Sequence, residues 1–89
     1  MKINMNIPIL GLDGKELPDA NVGKLIAQTL VNTPKGDALK FFGWAQKLYA
    51  GSALELDASD TETLKNFIKE SDSITILAKA QALACFKDK

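Results

Sequence analysis

The side chains best placed to do chemistry in this 89-residue chain are gathered in one run: Asp57, Ser59, Asp60, Thr61 and Glu62. Asp57, Ser59 and Thr61 alternate as the first ligands of a calcium loop do. That loop also needs a turn glycine at its sixth position and a bidentate glutamate at its twelfth. Glu62 and Ile68 stand there instead. The carboxylates could serve as an acid–base pair, but no neighbouring nucleophile, glycine-rich pocket or second ligand cluster supports that role. The same residues make overlapping helix-start signals, with Asp57 or Ser59 as cap and Asp60 or Glu62 three residues on.

Two other features invite chemistry and lose it on inspection. Gly23-Lys24 resembles the end of a phosphate loop, yet the first glycine of that motif would fall at Pro18 and its hydroxyl residue at Leu25. Cys85 could be a reactive thiol, but it lies on an apolar helix in a chain without histidine to activate it.

The missing residue types extend these exclusions. Without histidine there are no histidine triads and no imidazole acid–base catalysis at neutral pH. Eleven lysines and no arginine leave no planar fork for a bidentate grip on phosphate or guanine. The formal net charge is zero, so no overall field draws nucleic acid or an anionic membrane. One cysteine forms neither an intramolecular disulfide nor a zinc site of the usual type. The expectation is a non-enzyme with no catalytic residue, cofactor or metal.

The elements that would carry these residues are legible. A 46% hydrophobic and 25% charged chain folds, and 89 residues give one domain over 1–89 with a small core, burying roughly 60 to 65% of the unfolded surface. Residues 1–18 read as extended structure. Ile3, Met5, Ile7 and Ile9 alternate with polar residues or Pro8, and Asp13-Gly14 marks a hairpin turn. Helices are predicted over 20–32, 34–50, 59–70 and 74–87. Asp19 or Asn21 caps the first, Pro34 opens the second and Gly51 stops it. Lys87 and Lys89 suit the last helix end. Leu54 and Leu56 could add a strand. The fold class is α+β, predominantly helical, with an N-terminal β-hairpin packed on about four helices.

Two helical surfaces exceed what a small core needs. In the second helix Ala38, Phe41, Ala45, Leu48 and Tyr49 make a core stripe, with Phe42 and Trp44 at opposite margins and Lys40 and Lys47 beside Trp44. The fourth helix is apolar almost all round, interrupted by Thr75, Lys79 and Gln81. The candidate interaction surface is therefore Phe42, Trp44, Lys40, Lys47, Ile76, Lys79, Leu83 and Phe86. It suits a protein partner or a second copy in a homo-oligomer.

Nucleic acid is the disfavoured alternative. It would use Lys35, Lys40 and Lys47 with Trp44 as a stacking group. Residues 60–86 match a helix-turn-helix in outline, but Lys79 alone is a poor DNA footprint. A membrane role is not expected, since no run approaches the roughly 18 apolar residues of a span. The opening Met1–Leu10 segment is too broken by asparagines and proline for a signal peptide. These features point to the cytoplasm.

Three segments carry a family resemblance: Leu12-Asp13-Gly14-Lys15, Gly36-Asp37-Ala38-Leu39-Lys40-Phe41, and Leu56-Asp57-Ala58-Ser59-Asp60 before Leu64-Lys65. With them the chain resembles small accessory proteins of bacteriophages and prophages. The resemblance implies a bacterial host cytoplasm and an accessory or assembly role, and it assigns no site.

Overall fold

The computed structural model describes residues 2–34 and 36–86. Along the described chain run β1 (Lys2–Ile3), β2 (Pro8–Leu10), β3 (Glu16–Asn21), α1 (Val22–Asn32), α2 (Ala38–Tyr49), β4 (Leu54–Glu55), α3 (Ala58–Glu70) and α4 (Ile76–Ala84). The architecture is predominantly helical α+β, with a hairpin ahead of the helices.

The alternation in residues 1–18 resolves into two ladders. β2 and β3 form the antiparallel hairpin, with Gly11 N–H donating to the Lys15 carbonyl across the Asp13-Gly14 turn. β1 pairs instead with β4, setting Ile3 against Leu54 inside and Lys2 against Glu55 outside. Ile3, Met5 and Ile9 are buried, whereas Ile7 is partly open, because the chain leaves strand geometry between the ladders. Met1 lies outside the described residues.

The irregular Met5–Ile7 stretch has a structural task. The first amides of a helix lack partners within it, and here Val22 N–H donates to the Ile7 carbonyl and Gly23 N–H to the Met5 carbonyl. Asn21 caps the same end by accepting from Lys24 N–H. A Cβ on Gly23 would stand 3.0 Å from the Met5 carbonyl oxygen and 3.2 Å from that of Leu48. Gly23 thus lets the N-terminus of α1 approach two other backbone segments.

α2 starts four residues later than Pro34 predicts. Gly36 takes a φ of +116°, which a right-handed helix cannot contain, and Asp37 becomes the cap by accepting from Lys40 N–H. Lys35 lies outside the described residues. The far end follows the sequence. Gly51 N–H donates to the Leu48 carbonyl and Ser52 N–H to that of Lys47, the paired bonds of a glycine-terminated helix.

α3 is capped by Asp57, whose side chain accepts from Asp60 N–H, and it buries Thr61, Leu64 and Ile68. Asp60 does not close a reciprocal capping box, because its carboxylate accepts from Lys40 Nζ at 2.7 Å. α4 is shorter than the predicted 74–87. Thr75 caps it, helical structure ends at Ala84, and Lys87 to Lys89 lie outside the described residues.

One core joins the elements. It includes Ile3, Met5, Val22, Ile26, Leu30, Leu48, Leu54, Leu64 and Ile68, with Ile74, Ala78, Ala82 and Phe86 contributed by α4 and its flanks. Phe41 stacks on Trp44, with centroids 5.5 Å apart, and meets Phe67 edge-on at 5.4 Å, tying α2 to α3.

Candidate functional site

The eight predicted surface residues do not form one patch. Trp44 and Phe86 are core residues, so neither presents a ring to a partner. Lys40 is engaged with Asp60. Lys79 donates to the Lys69 and Ser71 carbonyls at 3.0 and 2.9 Å, satisfying acceptors at the end of α3. Leu83 is partly buried against the core. Of the eight, Phe42, Lys47 and Ile76 remain exposed without such engagement.

The fourth helix is not a bare apolar cylinder. Ala78 and Ala82 face inward, Gln81 bonds to Leu10, and small alanines account for much of the remainder.

The core stripe of α2 is rotated from its predicted position. Phe41, Trp44, Ala45 and Leu48 are buried, while Ala38 and Tyr49 are exposed. The reason lies in the width of the apolar arc: α3 supplies Phe67 against Phe41, whose ring stacks on Trp44, and the opposite margin is left open. Tyr49 thereby joins Phe42 outside.

That open margin continues onto α1 as one apolar face. Leu39 is 87% exposed, Tyr49 56%, Phe42 54% and Val31 52%. Two shallow clefts share Val31 and Phe42. One, of about 390 Å³, reaches toward Leu39 and Pro34; the other, of about 470 Å³, runs past Tyr49 over a floor of Ala27 and Ala45. Among the described residues no charged side chain lines either cleft, and Gln28 and Gln46 supply the polar rim of the second. Lys24 stands beside this face, its Nζ 5.4 Å from the Tyr49 ring centroid.

Sequence reasoning missed Val31, Leu39 and Tyr49 as surface residues. The available signal was a second stripe: at 100° per residue, Leu39, Phe42 and Tyr49 fall within an arc of about 80° on one flank of α2.

Other places offer less. A polar groove of about 710 Å³ lies between the C-terminal ends of α1 and α3, but its Glu70 and Asp72 stand open to solvent instead of converging on a buried point. Among the described residues, no group of three or more histidine, cysteine or acidic side chains is arranged to hold a metal ion. The run from Asp57 to Glu62 spends its polar atoms on structure: Thr61 Oγ1 and Asp60 N–H both donate to Asp57. Burial pushes the Cys85 thiol above its usual pKa, which opposes thiolate formation.

No family model, curated protein or solved structure matches this chain. The described helices include none long and apolar enough to cross a membrane.

Proposed function

We propose that this protein is a non-enzymatic interaction or assembly factor that binds another protein surface through the α1–α2 face. The observation that carries the reading is the apolar patch formed by Leu39, Phe42, Tyr49 and Val31 around an alanine-floored cleft. Isolated exposed apolar residues are ordinary on a small protein, whereas a contiguous patch with a polar rim has the anatomy of a binding surface. Leu12 and Ile76 are exposed elsewhere, so exposure alone does not select this face. Continuity does.

A bacterial, phage or prophage setting and a cytoplasmic location belong to the same proposal and rest on the segment resemblance. The nucleic-acid reading has lost two of its supports. Trp44 is buried and has no open ring face for a base, and Lys40 already serves Asp60.

A photo-crosslinking amino acid placed at Phe42 in the cells that express the protein tests the reading. The expected result is a defined protein adduct that Leu39→Glu removes and that the same probe at Ile76 does not give. No adduct at Phe42, or the same adducts from Ile76, overturns it.

A further inference from the structure

We infer that the occupant of the α1–α2 face is a second copy of this chain, packed across a two-fold axis as a dissociable homodimer; the inference rests on the interaction reading above. A two-fold contact sets each residue against the same patch, so it requires one face to carry both protrusions and a depression to receive them. This face does. Leu39, Phe42 and Tyr49 stand out from α2, and the cleft beside them is floored by Ala27 and Ala45. Large residues beside small ones let two antiparallel helix pairs interdigitate as a four-helix layer.

Charge favours the same occupant. Near a two-fold axis any charged side chain meets its own copy, and like charges there oppose association. Among the described residues, neither cleft is lined by a charged side chain. On α2, Lys40 and Lys47 lie on the opposite side of the helix from Phe42, at about 140–160° around its axis. The formal net charge of zero removes long-range repulsion between copies as well. Among the described residues, the one charge that touches the face is Lys24, at the Tyr49 edge.

The area sets the strength. Leu39, Phe42, Tyr49 and Val31 offer on the order of 400 Å² per copy, taking 150–250 Å² for a whole aromatic side chain and less for an aliphatic one. Two copies remove about 800 Å² at the centre of the contact, and the glutamine rims bring the total toward the ~1,200 Å² lower edge of stable interfaces. The dimer should therefore dissociate on dilution through the micromolar range.

Sedimentation equilibrium of the full chain, from low micromolar to near-millimolar concentration, tests this. The wild type is expected to rise toward twice the 9.6 kDa chain mass. Phe42→Glu should weaken association at least tenfold while retaining the native circular dichroism spectrum. Gln46→Glu places the repulsive charge on an exposed polar position, so it serves where Phe42→Glu perturbs folding. A wild type that stays monomeric throughout overturns the inference, as does a dimer that Gln46→Glu leaves intact and Ile76→Glu dissociates. The two readings fail separately: crosslinks from Phe42 to a different protein, with a monomeric wild type, would preserve the interaction face and remove the second copy.

Discussion

The side-chain amide of Gln81 bonds to the backbone of Leu10 in both directions. Its Nε2 donates to the Leu10 carbonyl at 2.6 Å, and Leu10 N–H donates to its Oε1 at 2.8 Å. A strand edge presents such a donor and acceptor side by side, and a primary amide matches both. α4 is thereby fastened to β2 across 71 residues of sequence.

Gln81→Glu keeps the acceptor, loses the donor and sets a carboxylate beside the Leu10 carbonyl. Gln81→Leu loses both bonds. Each is expected to cost about 1–2 kcal/mol, because hydrogen bonds at a part-exposed site are partly replaced by water. Urea unfolding monitored by circular dichroism checks the magnitude. Amide exchange at Leu10 should quicken in both variants, and an unchanged Leu10 rate would show that the pairing does not hold the strand.

Gln81 also marks where the sequence stops being readable. Its polarity is visible on the fourth helix, but no local pattern announces a bond to a residue 71 positions away. Lys79 is similar. Charge suggests a solvated or binding lysine, while its ammonium caps carbonyls of α3.

Local signals fared better. Asn21 caps α1 out of the pair Asp19 and Asn21, Asp57 caps α3 out of Asp57 and Ser59, and Gly51 ends α2, since these features depend on a few adjoining residues. The start of α2 failed because Pro34 and Asp37 are both valid openings, and the backbone at Gly36 selects the second. Trp44 and Tyr49 exchanged places for a tertiary reason. Periodicity measures the width of an apolar arc, and only the neighbouring helices decide which margin they cover. The candidate face was thus legible through Phe42 alone.

Gly23 makes a prediction whose sign runs against helix propensity. Alanine in a helix ordinarily gains about 1 kcal/mol over glycine. At Gly23 the added Cβ would press on the Met5 and Leu48 carbonyl oxygens, which belong to backbone and cannot simply rotate away. Overpacking of this kind costs roughly 1–3 kcal/mol. Gly23→Ala should therefore lower stability by about 1 kcal/mol net. Gly43→Ala is the control, because nothing stands within 4 Å of a Cβ there. Thermal melts of the two variants should move in opposite directions; a rise for Gly23→Ala would mean that the contact relaxes freely.

Lys40 and Asp60 link α2 to α3 through an ion pair of 2.7 Å, and the pair fixes a pH dependence. The hydrogen bond from Lys40 to the Asp60 carboxylate, reinforced by its charge, raises the lysine pKa above the ordinary 10.5. A raised pKa means that the folded chain holds this proton more tightly than the unfolded chain. Its stabilising contribution is then complete below the unfolded value and is lost as pH rises through the folded one. Asp60→Asn removes the carboxylate, so the stability gap between wild type and variant should be constant from neutrality to about pH 10 and narrow above 10.5. Because Lys40 is solvent-accessible, salt should shrink the gap as well. Urea unfolding of both proteins across the alkaline range measures it, and a gap that persists unchanged above the lysine titration would assign the Asp60 effect to helix-end charge at α3 instead of to the pair.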